Sequence, residues 1–340
     1  MNYKEICGCI HLHTTFSDGG IDFPGMISAA QQVGLDYIII TDHMNLKGLF
    51  SGFEGFHNDL LVIVGYEHND KDNRNHYLAL GTDRVVDSNL EPHQYVSAIK
   101  KAGGIGFLAH PAEKRNYFGK LPPYPWTRWD VTDFNGIELW NQMSDWIEQL
   151  KNFRSFIRLF YPRRYLGNVP EELLQKWDEL NQHRFVSGIG GVDAHTRKLR
   201  FGPISYTVFP IKVELKGIRT HLYVKTHDKG SVLTALKNGN SFISNFRQGN
   251  AKGTRIYVEC RDGSILPPGK SESTPALPAR LTVALPDSAT IRFIKNGNCV
   301  SESQGKKGEL RVDETGVYRV EVLHGKSAWI YSNPFPFFHK

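Results

Sequence analysis

The 340 residues are 40% hydrophobic and 12% aromatic, enough to pack one large domain and a smaller one. The 41 basic residues against 35 acidic ones leave a net charge of +6 spread without a long Lys/Arg block, which favours anionic ligands only mildly and does not argue for nucleic acid, so no nucleic-acid partner is expected. No apolar run approaches the roughly 18 residues of a membrane helix, no cleavable signal pattern opens the chain, and Cys7, Cys9, Cys260 and Cys299 make no C-x-x-C pair, so the expectation is a soluble cytoplasmic protein without a disulfide scaffold.

Apolar runs over residues 5–12, 36–40, 61–67, 76–81, 104–109, 136–140, 184–192 and 220–224 predict strands. Helices are predicted over 24–33 after Asp22, 92–102 before Gly103-Gly104, 144–160, 171–182 after Pro170, and 229–238 before Gly239. This alternation is that of an α/β protein with parallel strands and crossover helices. Short alternating strands follow from about Thr254, with a hairpin signal at Asn296-Gly297. The pattern predicts a barrel-like domain over 1–250 and a small all-β sandwich over 251–340.

Metal-ligand residue types recur where these runs end. His11-Leu12-His13 is followed by Asp18, Thr41-Asp42-His43 follows Tyr37–Ile40, Glu67 ends one run and His76 opens another. His110-Pro111 and Asp193-Ala194-His195 close two more. Strand alternation predicts that His11 and His13 share a face. A single such pair is ordinary, since a His-Pro is usually a loop histidine and an Asp-x-His a surface pair. Ligands drawn from many strand ends favour a closed barrel over an open sheet, whose chemistry gathers at one switch point.

In order and content these motifs resemble the PHP (polymerase and histidinol phosphatase) superfamily over roughly the first 250 residues. The resemblance implies a distorted (β/α)7 barrel and a metal-dependent phosphoesterase with two or three divalent ions. By position, it places His11, His13, Glu67 and Asp193 on a first ion, Glu67, His76 and His110 on a second, and Asp18, His43 and His195 on a third. Asp42 is expected to orient a ligand. Mixed imidazole and carboxylate donors suit zinc, manganese or iron.

The expected reaction is hydrolysis of a small-molecule phosphate ester by hydroxide carried on the ions, with Arg115 or Arg197, and less so Lys114 or Lys198, clamping the phosphate. The two-domain layout also resembles the carbaryl-hydrolase-like branch, which implies the alternative of a carboxylic ester or carbamate. A non-catalytic metal-binding module is a third reading. Tyr124, Trp126 and Trp129, in the aromatic stretch Tyr117 to Trp129, are candidates to wall a pocket. His68 is expected to face away from Glu67, and His221 is a weaker candidate for substrate contact.

Overall fold

The computed structural model describes residues 3–115, 122–149, 166–201, 204–271 and 275–338. In chain order its elements begin with β1 (Lys4–Leu12), α1 (Phe23–Gln32), β2 (Tyr37–Ile40), α2 (Lys47–Phe50), β3 (Gly55–His57), β4 (Leu60–Val64), β5 (Tyr66–His68), β6 (Tyr77–Leu80), α3 (Pro92–Lys101), β7 (Ile105–Leu108), β8 (Gly136–Asn141) and α4 (Gln142–Glu148). There follow α5 (Glu171–His183), β9 (Ser187–Gly191), β10 (Arg197–Phe201), β11 (Ile204–Val208), α6 (Ile211–Glu214), β12 (Ile218–Val224), α7 (Lys229–Asn238) and β13 (Ser241–Asn245). The last are β14 (Arg255–Glu259), β15 (Ile265–Leu266), β16 (Ala279–Lys295), β17 (Asn298–Val312), β18 (Gly316–His324), β19 (Ser327–Ser332) and β20 (Phe335–Phe337). The predicted helix over 144–160 is seen as α4, and its part from residue 150 onward lies outside the described residues.

The chain is a mixed α/β protein of two compact units. One comprises Cys7–Gly167 and Gly190–Arg219, the other Met1–Ile6, Asn168–Ile189 and Thr220–Lys340. These units are discontinuous in sequence, whereas the compositional change near residue 250 marks where helices give way to strands.

In the first unit β1, β2 and β4 run parallel. The Tyr-Ile-Ile-Ile of β2 and Leu-Leu-Val-Ile-Val of β4 are buried throughout, as strands covered on both faces require. Helix α1 makes the crossover between β1 and β2: Asp22 caps it by accepting from the Gly25 N–H at 2.9 Å, and it buries Phe23, Met26, Ile27, Ala29 and Ala30.

A second sheet runs in the order β5-β6-β7-β8-β9, the last supplying Gly190 and Gly191 to this unit. Here the all-parallel expectation fails, because β6 is antiparallel to both β5 and β7. A connection from His68 to Tyr77 without a helix is too short for a parallel crossover. The reversal explains why His76 precedes its strand while the other motifs follow theirs. The start of β6 lies beside the end of β7, where Ala109 N–H donates to the His76 carbonyl at 3.1 Å.

Strand ends are stitched together at this site. Val192 N–H donates to the Ile10 carbonyl at 2.9 Å, His13 N–H to that of Ala194 at 3.1 Å, and Met44 N–H to that of Glu67 at 3.0 Å.

The second unit holds the all-β region. Strand β16 pairs with β14 and β17 through Ala279–Ala284, and with β17 and β18 through Thr290–Lys295. An irregularity between Ala284 and Ala289 separates the two halves. Leu281, Val283, Ile291 and Phe293 are all buried, in a core shared with Ile256, Val320 and Trp329. The Asn296-Gly297 turn takes left-handed φ values of 48° and 83°, the requirement of a type I′ hairpin. Among the described residues, no helix is long and apolar enough to cross a membrane.

Candidate metal centre

Three of the predicted ligands sit where the backbone leaves extended geometry. His11, His110 and Asp193 have φ of 65°, 31° and 54°. For residues with a Cβ such conformations cost about 1–3 kcal/mol each, a strain that the surrounding bonds must hold. His11 lies at a register shift in the β1–β2 pairing between Cys9 and Leu12, so simple alternation is not what brings it beside His13.

Glu67, 1% exposed, stands at the centre of the cluster. Its Oε2 lies 3.0 Å from His11 Nε2, 3.3 Å from His13 Nε2 and 3.4 Å from His43 Nδ1. Its Oε1 lies 2.8 Å from His76 Nδ1 and 3.2 Å from His110 Nε2. Asp193 Oδ1 is 3.5 Å from His11 Nε2 and 3.4 Å from both His13 Nε2 and His195 Nδ1. Asp18 Oδ2 is 3.1 Å from His195 Nε2, and its Oδ1 is 3.7 Å from His43 Nε2 and from His13 Nδ1.

Donor atoms within 4.8 Å of one another form three sets: His11, His13 and Asp193; His11, Glu67 and His110; and His13, Asp18, His43 and His195. His76 faces Glu67 but stands outside these sets. All nine residues singled out in the sequence thus meet in one place, with His13 also turned towards the outer set.

Burial opposes charge throughout, yet the groups compensate one another. His11, Asp193 and Glu67 illustrate the exchange: nearby imidazoles hold both carboxyls well below their ordinary range, while Glu138, Asp193 and Glu67 raise His11 well above its own. Burial is likewise overcome at His13, by Asp193 and Glu67, and at His110, by Glu113 and Glu67, so each is lifted to about 9. Burial prevails at His43 and lowers it. Both ring nitrogens of His13 are buried without a hydrogen bond, although carboxylate oxygens stand 3.3 and 3.4 Å from Nε2. Ring nitrogens of His13 facing carboxylate oxygens without a hydrogen bond fit a cation between them, and the mixed nitrogen and oxygen donors of the cluster fit zinc, manganese or iron.

Several supporting residues were missed in the sequence. Glu138, an isolated acid in the apolar β8, accepts from His11 Nδ1 at 2.8 Å. Asn69 bridges two histidines: its Oδ1 accepts from His43 Nδ1 at 2.9 Å, and its Nδ2 donates to His76 Nε2 at 2.8 Å. Glu113 holds Arg115, whose Nε lies 3.0 Å away and whose guanidinium covers the Tyr124 ring at 5.4 Å. Asp42 acts on the turn before Asp18. It does not bond His43 but accepts from Thr14 N at 2.7 Å, Thr14 Oγ1 at 2.7 Å and Ser17 Oγ at 2.6 Å, pinning the turn that carries Asp18.

The cluster floors a cleft of about 920 Å³. Arg115 and Arg197 line it beside an apolar wall of Met143, Trp146, Ile147, Val208 and Phe209. Arg197 is exposed and its side chain has no partner among the described residues. Lys114 does not line the cleft, and the Lys198 side chain and residues 117–121 lie outside the described residues. Tyr124 reaches the cleft and stacks on His76 at 4.9 Å, whereas Trp129 does not line it and Trp126 is buried against Tyr77 and Tyr95. His68 packs on Tyr66 and Tyr95, away from the cluster as expected. His221 is no substrate contact: it stacks on Phe242 and bonds Glu5 and Ser244.

Residues 10–115 match the family model of the PHP domain. The chain carries a PHP domain. The match runs from just before His11 to just beyond His110, while Asp193 and His195 lie outside it. No curated protein matches the chain. Among solved structures, the chain is similar to a two-domain protein containing a predicted PHP-like metal-dependent phosphoesterase from Bacteroides vulgatus, at 16% identity and a TM-score of 0.49, over 98% of this chain and 96% of that one. It is also similar to PsfC from Pseudomonas syringae, at 13% identity and a TM-score of 0.41, over 65% of this chain and 83% of that one. An amidohydrolase from Chromobacterium violaceum, with bound sulfate and no metal, gives 13% identity and a TM-score of 0.34, over 55% of this chain and 87% of that one.

Proposed function

We propose that the chain is a metal-dependent hydrolase whose PHP domain cleaves a small phosphate ester. The observation that carries this reading is the convergence of buried imidazoles and carboxylates on Glu67 at the floor of a cleft lined by two arginines. His11, His13, Glu67 and Asp193 would hold one ion, Glu67, His76 and His110 a second, and Asp18, His43 and His195 a third. Divalent ions there supply Lewis acidity to water and to the scissile bond.

The remaining chemistry belongs to the chain itself. Arg115, braced by Glu113 and Tyr124, presents a fixed guanidinium to an anionic oxygen, and Arg197 offers a second charge from the rim. The apolar wall receives the organic part of the substrate and excludes water from it. Hydrogen bonds from the end of β9 to β1, and the bridge between His43 and Glu67, support reading the strands as a distorted (β/α)7 barrel with its ligands at one end.

The test is a purified protein reconstituted with zinc, manganese or iron and screened against phosphate esters, carboxylic esters and carbamates. Turnover of phosphate esters that is lost in His11→Ala supports the proposal. The apolar wall favours a second reading, hydrolysis of a neutral carbon ester or carbamate. Turnover of that class with none on phosphate esters would establish it and overturn the first.

A further inference from the structure

We propose that Glu138 is a positioning residue that sets two ion ligands at once, fixing the ring of His11 through one carboxylate oxygen and the strained backbone of His110 through the other. This rests on the reading of the cluster as a metal centre and adds a residue outside the ligand set. Glu138 is 1% exposed, in the middle of β8. Its Oε1 accepts from His11 Nδ1 at 2.8 Å, and its Oε2 accepts from His110 N at 2.7 Å and from Asn141 Nδ2 at 2.9 Å.

With the proton held on Nδ1, the Nε2 lone pair of His11 is directed at the space between Glu67 and Asp193. The bond to His110 N holds a residue whose φ of 31° is otherwise unfavourable, and so aims its Nε2 at Glu67. Every group facing Glu138 here is a donor, so both oxygens must accept. A glutamine has only one acceptor oxygen, and its NH2 would confront either the His11 N–H or the two donors on the other side. Gly191 leaves room for this pairing: a Cβ there would lie 1.6 Å from Glu138 Oε1 and 3.1 Å from His11 Cβ.

The test uses the full chain and its Glu138→Gln and Gly191→Ala variants. Zinc affinity is measured by competition with a chromophoric chelator, and the His11 Nδ1 proton is observed by NMR of zinc-loaded, histidine-labelled protein. Both variants should weaken zinc binding at the inner sites by about 10–100-fold, lose the protected Nδ1 proton, and keep affinity at the Asp18, His43 and His195 set. Wild-type affinity with the proton retained in Glu138→Gln would overturn this inference alone. A general loss of structure, read as equal weakening at the outer set and a collapsed melting transition in both variants, would also overturn it. Failure of the wild-type chain to bind zinc would overturn the metal-centre reading and this inference together.

Discussion

Loading the ion-free centre with metal should expel protons, and the amount is set by the histidines around Glu67. His13 and His110 titrate at about 9 because neighbouring carboxylates outweigh the penalty of burial. At pH 7, about two units lower, each favours the imidazolium roughly a hundredfold, so freeing its lone pair costs about 3 kcal/mol per ring. A metal ion must supply that energy and displace the proton. Affinity should therefore rise between pH 7 and pH 9, about tenfold per unit for each ring deprotonated, and level off above about 9. Calorimetric titration of zinc into ion-free protein, repeated in buffers of different ionisation enthalpy, measures the release directly. About two protons are expected from these two rings at pH 7. Heats independent of the buffer would show that the rings are already neutral and would refute the electrostatic account.

The same titrations should govern the stability of the ion-free protein. A raised histidine pKa stabilises the fold fully below about 6.5 and ceases to do so as pH rises through the folded value, so denaturant midpoints should fall between about pH 6.5 and 9; a flat profile contradicts this. Arg115→Ala should lower kcat/KM for phosphate esters by roughly 10–100-fold and Arg197→Ala by less, since only Arg115 is braced by Glu113 and Tyr124; kinetics on charged and neutral esters checks it, and an equal loss on both classes excludes a phosphate clamp. Asp42→Ala leaves the donors of Thr14 and Ser17 unmatched, so metal analysis should find one ion fewer per chain and unfolding should show about 1–3 kcal/mol lost; full ion content would show that the turn holds Asp18 without it. In the other unit, Asp178 accepts from Arg319 Nε at 2.7 Å and Nη2 at 2.8 Å in a buried pair, and Asp178→Ala should cost about 3–5 kcal/mol in denaturant unfolding while zinc affinity is unchanged.

The ligands were legible in the sequence because each motif adjoins an apolar run, and strand ends are where an α/β chain collects chemistry. The Asn296-Gly297 turn was legible for an equally local reason, since a tight hairpin needs two left-handed residues. What one dimension concealed was direction and partnership. His76 looked misplaced only while β6 was read as parallel; once the strand reverses, its beginning belongs with the ends of the others. Asp42 adjoins His43 in sequence, yet its carboxylate is spent on Thr14 and Ser17, because strand-end loops pack against loops from distant segments. Glu138 is the deeper case. Apart from Asn141, three residues on, nothing near it in sequence demands an acid: its other donors are 127 residues away on β1 and 28 away after β7, and its room comes from a glycine on β9. The sign that remained was an acid within a wholly buried strand, β8, and burial of a carboxylate is tolerated only where donors meet it. A lone carboxylate in an apolar strand therefore implies a donor across the fold, and in a chain whose strand ends carry histidines the donors to look for first are those ligands.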